Sequence, residues 1–237
     1  MYKIFDFHTH ILPGIDDGSR DVEESLAMIG ELSRQGVSGI AATPHFYANQ
    51  SSPEHFLAKR KTAWDQLRPH LLAETPEIRL GAEIQYFEGL HRYCGLEQFC
   101  IEGTKLLLIE MPQCTWTTRM VSTILEVSTR EDIVVLLAHI ERYLPYRNER
   151  SIKAFRERGV LMQASTSFFL TRRWTAMRML RKGQIHLLGT DAHNMDTRRP
   201  NLEQALDTIY RKRGTLLLQK MAEREVMLLD EAKNNLG

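Results

Sequence analysis

Seven short β-rich runs separated by helical stretches confine this chain to a parallel sheet with helices packed on it, because a crossover must precede each new parallel strand. The runs cover residues 3–8, 39–43, 78–84, 105–111, 133–138, 160–164 and 185–190. Several are apolar throughout, as in Ile133-Val134-Val135-Leu136-Leu137-Ala138, which is the pattern of a strand buried on both faces. Helical periodicity fills the gaps at 21–36, 53–72, 118–130, 151–158, 176–182 and 202–213, with a last helix to about residue 232. In the first, Asp21 with Glu24 reads as a capping box, Val22, Leu26, Ile29 and Leu32 share a face, and Gly36 suits the residue after a helix end. No G-x-G-x-x-G or G-x-x-x-x-G-K-[ST] loop follows any strand, so a closed or nearly closed barrel is expected rather than an open nucleotide-binding sheet.

With 237 residues, 43% of them hydrophobic, the chain can bury one substantial core, and a single domain over 1–237 is expected. Its formal net charge of +1 provides no field to gather nucleic acid or an anionic membrane, so any preference for an anionic substrate must be local. No apolar run has the length of a membrane span, and Met1-Tyr2-Lys3 enters a strand rather than a leader; a cytoplasmic protein without membrane insertion is expected. Cys94, Cys100 and Cys114 form no C-x-x-C pair and fit reduced, packed thiols. They also argue against a cysteine phosphatase, which needs arginine at C-x5-R; Arg119 falls one residue short of that spacing from Cys114.

Ligand-type residues gather where the strands end, which is where α/β barrels place their chemistry. His8 and His10 share a face of the first strand, with Asp6 one step behind and Asp17 in the loop that follows. The second strand runs out through Ala42-Thr43-Pro44-His45, the third carries Glu83, and the fourth ends on Glu110. The fifth ends on His139 and the seventh on Asp191-Ala192-His193, while the sixth, ending near Gln163 and Ser165, offers no ligand. Alone, each such acid reads as a cap or ion-pair partner and each histidine as a packed residue. Five histidines and four carboxylates at the ends of six strands imply a multinuclear metal site instead. Nine donors exceed the three or four of one tetrahedral zinc and suit two or three ions, and imidazole with carboxylate favours Mn, Fe or Zn. His55, His70, His91 and His186 lie off the strand ends and read as structural or surface residues.

Such clusters hydrolyse. Arg142, three residues after His139, and Arg198 and Arg199 after His193 point to phosphate, because guanidinium forks match tetrahedral oxyanions. Paired with Glu141 or Asp196 instead, they would be structural. Tyr86, Phe87 and Phe46 stand near the ligand strands and suit either a slot for a substrate ring or the core.

The segments that carry this pattern are His8-x-His10-Ile11-Leu12-Pro13-Gly14-Ile15-Asp16-Asp17-Gly18, Glu23-Glu24-Ser25, Ala42-Thr43-Pro44-His45, Gly81-Ala82-Glu83-Ile84, Leu108-Ile109-Glu110, Ala138-His139-Ile140-Glu141-Arg142-Tyr143 and Asp191-Ala192-His193-Asn194. In this order, over residues 4 to about 200, they resemble the PHP (polymerase and histidinol phosphatase) superfamily. More narrowly, the first motif and the A-H-I-E-R-Y string resemble its bacterial manganese-dependent protein-tyrosine phosphatases, encoded with capsule and exopolysaccharide genes. The resemblance implies a distorted seven-stranded TIM-like β/α barrel with three metals at its mouth, manganese before iron or zinc. Their implied ligands are His8, His10, Asp17, His45, Glu83, Glu110, His139, Asp191 and His193, with Glu83 bridging. Arg142 and Arg198 are implied to bind phosphate, and a metal-bound hydroxide to attack it. The implied substrate is phosphotyrosine on the tail of a bacterial tyrosine kinase that controls polysaccharide synthesis; a small-molecule phosphomonoesterase, histidinol-phosphatase-like, is the alternative. Two segments depart from the pattern: residues 163–169, where the family has an Asn-containing polar run, and Arg198-Arg199, which leaves open the arginine that meets phosphate.

Overall fold

The computed structural model describes residues 4–212 and 214–230; the expected strand start at Lys3 and the helix ends at 213 and 232 lie outside them. Nine strands make two parallel sheets. In the first, β1 (Ile4–Thr9) pairs with β2 (Val37–Ala42), which pairs with β4 (Glu77–Leu80). The second is a curled six-stranded sheet in the order β3 (His45–Phe46), β5 (Glu83–Gln85), β6 (Leu106–Glu110), β7 (Val134–Leu137), β8 (Leu161–Ser165) and β9 (Leu187–Gly189). Its last strand turns back on the first sheet, where the Asp191 N–H donates to His8 O at 2.8 Å and the His10 N–H to Ala192 O at 2.9 Å.

The curled parallel α/β architecture agrees with the sequence pattern, but the strand count does not. The run expected as one strand over 78–84 is two, β4 in one sheet and β5 in the other, separated by Gly81-Ala82. A Cβ on Gly81 would stand 3.2 Å from the Ile101 side chain and 3.3 Å from that of Thr43, so the chain changes sheets where a side chain would crowd it. β3 lies beyond the expected second run of 39–43 and is set off from β2 by Thr43-Pro44, since proline has no N–H for the ladder. Over 78–84 apolar periodicity registers one buried run and is blind to the offset between its halves.

Eight helices are present among the described residues: α1 (Val22–Arg34), α2 (Pro53–Leu67), α3 (Thr118–Val127), α4 (Glu149–Glu157), α5 (Thr166–Thr171), α6 (Arg173–Arg181), α7 (Leu202–Arg211) and α8 (Thr215–Asp230). The Asp21 carboxylate caps α1 by accepting the Glu24 N–H at 2.9 Å, and Gly36 takes φ +80° after it. The reciprocal half of the expected box is displaced: the Glu24 carboxylate accepts from the Arg20 N–H and guanidinium instead. α5 was not expected, since its Phe168-Phe169 core reads equally as strand.

Adjacent residues of each central strand enter different clusters, as a period of two requires. Leu106, Leu108 and Leu136 join Phe5, Phe7 and Leu187, while Leu107, Ile109 and Leu137 pack with the helices. Both faces of the sheet are therefore dry, and each fully buried leucine contributes about 2 kcal/mol. Leu228 and Leu229 of α8 pack on the first of these clusters, and the Glu225 carboxylate on the same helix accepts the Phe5 N–H at 3.1 Å. α8 thus stops the end of the curl where the strands begin, leaving the other end for the polar residues. No helix among the described residues is long and apolar enough to cross a membrane.

Candidate metal centre

The nine strand-end donors converge at that other end. His8 and His10 leave β1 on one side, with Nε2 atoms 3.1 Å apart. Glu83 at the start of β5 lies at the centre of the group. Its Oε2 is 3.2 Å from His8 Nε2, 3.5 Å from His10 Nε2 and 2.9 Å from His45 Nδ1, and its Oε1 is 2.9 Å from His139 Nε2. Asp191 Oδ1 stands 3.6 Å from each of His8 Nε2, His10 Nε2 and His193 Nδ1. Asp17 Oδ1 lies 3.4 Å from His45 Nε2 and 3.5 Å from His193 Nε2, and Glu110 Oε1 is 3.4 Å from His139 Nε2. Three donor groups emerge, each with atoms within 4.8 Å of one another: His10, Asp17, His45, His193; His8, His10, Asp191; and His45, Glu83, Glu110.

Behind the donors lies a set of residues that fixes how the imidazoles point. The Asp16 carboxylate accepts from His10 Nδ1 at 2.7 Å and from the His45 N–H at 2.9 Å. The Gln163 Oε1 accepts from His8 Nδ1 at 3.4 Å and from the His139 N–H at 2.6 Å. His139 Nδ1 meets the Tyr143 hydroxyl at 3.3 Å, and His193 Nδ1 donates to Asp191 O at 3.0 Å. With each Nδ1 proton engaged, the Nε2 lone pairs of these four rings face the cluster, the arrangement that metal-binding histidines use. Sequence reasoning gave Asp16, Gln163 and Tyr143 no such role. The Asp16-Asp17 pair carried half the signal: Asp17 faces solvent and its neighbour turns inward, so two adjacent acids do different work. Gln163 stands on the strand that offered no ligand, and it supports ligands from two others.

The electrostatics suit bound cations. Burial raises the carboxyls of Glu83 and Asp191, but the surrounding imidazoles outweigh it and hold both below the usual carboxylate range. Burial opposes charge on His10, yet Asp16 and Glu83 lift it to about 10, so a cation bound at its Nε2 would take the place of a proton. At His193 burial wins, with help from His10, and its imidazole falls to about 3. Within this cluster three buried polar atoms make no well-directed hydrogen bond, His45 Nδ1, Glu83 Oε2 and His193 Nε2, although the first two approach to 2.9 Å. Orphaned lone pairs of this kind cost about 1–3 kcal/mol each when left unmade. Their common direction, and a donor set of imidazole and carboxylate without thiolate, fit Mn, Fe or Zn ions.

Two guanidiniums overlook the cluster. Arg142 bonds Asp191 Oδ2 and reaches Glu110 Oε1 at 3.4 Å; Arg198 donates to the same Asp191 oxygen at 2.8 Å and lies 3.7 Å from Asp17 Oδ2. Glu141 makes no direct ion pair with either; its carboxylate accepts the Ser165 N–H, and its charge favours the Arg142 cation only from a distance. The loop after His193 closes by a His193 N–H to Arg198 O bond of 2.9 Å, which folds Arg198 back over the donors. Arg199 is exposed and acts on Glu31 of α1.

A cavity of about 380 Å³ opens beside the donors, lined by Asp17, His45, Tyr47, His55, Phe56 and Lys59 among others. Its aromatic lining is Tyr47, stacked on His45 at 5.2 Å, together with Phe56. Phe46 is core, against Phe56 and Phe99, and Phe87 lines a separate cavity with Tyr93. His55 and His70 are exposed, His91 stands 3.4 Å from Glu126, and His186 Nδ1 accepts the Met162 N–H, so none joins the donor groups. The cysteines are likewise absent from those groups, and burial pushes the Cys100 thiol up to about 12.

Comparison with known proteins agrees with this geometry. The chain is 30% identical over 229 residues to the tyrosine-protein phosphatase CpsB of Streptococcus pneumoniae, covering 89% of this chain and 91% of that one. It is 28% identical over 235 residues to the tyrosine-protein phosphatase YwqE of Bacillus subtilis strain 168, covering 95% and 91%. A crystal structure from work on YwqE and CpsB, described as unique metal-dependent tyrosine phosphatases, superposes with a TM-score of 0.81 at 26% identity, over 95% of this chain and 94% of that one. A β-aspartyl dipeptidase of Fervidobacterium islandicum shares the fold alone, at a TM-score of 0.51 and 12% identity over 96% of this chain and 74% of that one. The model of the capsular polysaccharide synthesis family CpsB/CapC matches residues 4–229, and the chain belongs to that family.

Proposed function

We propose that this protein is a metal-dependent protein-tyrosine phosphatase that acts on a phosphotyrosine-bearing protein, the tail of a bacterial tyrosine kinase in polysaccharide synthesis, in the cytoplasm. The observation that carries the reading is the convergence of Arg142 and Arg198 on one Asp191 oxygen at the edge of the donor groups. Two forks aimed at one oxygen make a receptor for a tetrahedral oxyanion, and the names borne by CpsB and YwqE supply the phosphotyrosine.

His8, His10, Asp17, His45, Glu83, Glu110, His139, Asp191 and His193 would hold two to three ions, manganese before iron or zinc, with Glu83 at the middle of the set. Such ions would supply an activated water at neutral pH and neutralise charge on the phosphoryl oxygens. The chain's own residues do the rest. Arg142 and Arg198 hold the phosphoryl group, and Asp16, Gln163 and Tyr143 keep the ligand rings in register. Tyr47 borders the cavity that takes the substrate ring. The tyrosyl oxygen leaves with little help, since a phenol has a pKa of about 10. The whole chain is read as one domain, its two sheets as arcs of one distorted seven-stranded barrel; the passage of β2 into β3 and of β4 into β5 supports this count.

Phosphate release from a phosphotyrosyl peptide and from histidinol phosphate, measured side by side, tests the reading. The peptide is expected to be preferred, and His139→Ala or Asp191→Ala to lower turnover by about 1000-fold or more. Preference for histidinol phosphate, or full activity after exhaustive chelation, would overturn it.

A further inference from the structure

Away from the donors, α4 and α6 line a groove of about 780 Å³. Its apolar part is Leu144, Ile152 and Met179, and its cationic part is Lys153, Arg156, Arg172, Arg178 and Lys182, against a single lining carboxylate, Glu149. A chain of net charge +1 therefore concentrates five cations along one furrow. Internal partners do not satisfy them. Lys153 lies 3.7 Å from Glu157, and Arg156 donates one Nη2 bond to Gly183 O at 2.8 Å while its buried Nε has no partner. Among the described residues, Arg172, Arg178 and Lys182 form no side-chain hydrogen bond or ion pair. Cations held this close repel one another unless an anion lies between them.

The groove is tied at one end to the candidate site through the chain. It begins at Leu144 and Pro145, in the same 3-10 segment (Ile140–Tyr146) that carries Arg142 to the cluster. Nine residues of α6 give it a length of about 14 Å, the span of roughly four residues of extended chain. Apolar surface bordered by cations along such a length matches an extended peptide with acidic side chains. We propose that this groove binds an acidic peptide segment, the one flanking the target tyrosine of the substrate protein. The role in flank recognition rests on the phosphotyrosine reading above; the binding itself does not.

The probes are a labelled, unphosphorylated Asp/Glu-rich peptide for binding, and phosphotyrosyl peptides with acidic or Gly/Ser flanks for turnover. The variant is Arg172→Gln/Arg178→Gln/Lys182→Gln, and the control removes as many cations elsewhere, Arg68→Gln/Arg92→Gln/Lys220→Gln. The groove variant is expected to bind the acidic peptide about tenfold more weakly, and the control less than twofold. KM for the acidic-flanked substrate should rise in proportion with kcat unchanged, and the neutral-flanked peptide and p-nitrophenyl phosphate should be turned over as before. Equal weakening in variant and control, no weakening, or equally tight binding of an oligonucleotide of the same charge would overturn the proposal. If no phosphotyrosyl peptide is hydrolysed, the functional reading fails while the binding measurement still decides the groove.

Discussion

Glu225→Gln should flatten the pH dependence of stability. Glu225 is 3% exposed; one carboxyl oxygen accepts the Phe5 N–H, the other has no partner, and the buried Asp6 adds like charge nearby. Burial, with Asp6 adding to it against the Phe5 bond, pushes the carboxyl from an ordinary 4.5 up to about 8. The folded chain therefore keeps its proton where the unfolded chain has released it. The stabilisation is full below pH 4.5 and is lost as the pH rises through 8. At about 1.4 kcal/mol for each pH unit of that interval, the loss approaches 5 kcal/mol by pH 9. Glutamine keeps the acceptor for Phe5 and has nothing to ionise. Its amide adds a constant offset, so the slope is the test and not the height. Thermal unfolding of both proteins from pH 5 to 9 spans about 4 kcal/mol of that loss and should show the wild type falling by about 8–16 °C relative to the variant, at 2–4 °C for each kcal/mol in a chain of this size. Parallel curves would show that Glu225 ionises freely in the fold, and the account of its burial would be wrong.

Other perturbations separate the roles within the centre. Asp16→Asn should weaken metal affinity about 10–100-fold in a calorimetric titration without removing a ligand, because it loosens His10. Arg198→Ala should lower kcat/KM for a phosphotyrosyl peptide by about 10–100-fold, the worth of a charge-assisted hydrogen bond, while Arg199→Ala changes it less than twofold. Gln163→Leu strips the acceptor from the His139 N–H and from His8, and urea unfolding should show a loss of about 2–4 kcal/mol.

Much of this was legible in the sequence because the signals were strong and local. His8 and His10 face one way since a strand alternates, and Gly36 ends α1 where a left-handed residue is needed. Every strand-end histidine and carboxylate named from the sequence falls within one cluster of side chains. What escaped depended on distance in the chain. Nothing local marks Gln163 as the acceptor for residues 24 and 155 positions away. The choice between Arg198 and Arg199 rests on a loop closed by backbone bonds, and the division of 78–84 into two strands on contacts of Gly81 with Ile101 and Thr43. Pairing across the fold decides such matters, and composition does not record it.

Two donors sit on strained backbone, and that strain bears on how the centre is held together. His139 has φ +31° and Asp191 φ +54°, values that L residues other than glycine seldom adopt. Each left-handed residue costs about 1–2 kcal/mol and persists only where its surroundings over-determine it. Here they do: the His139 N–H is held by Gln163 at 2.6 Å, and the Asp191 N–H by His8 O at 2.8 Å. Both clamps run through His8 or its partner, so the two strained ends and the first strand fix one another. Glycine would relax the backbone at either position, yet neither carries glycine, as expected if the side chain there serves the proposed centre. Removing that side chain should then expose the strain as a difference between two inactive variants. In the presence of chelator, His139→Gly and Asp191→Gly should each be more stable to urea than the corresponding alanine variants by about 1 kcal/mol, reversing the usual order. If alanine proves the more stable at both positions, the backbone is not strained there and the donors are held by their side-chain bonds alone.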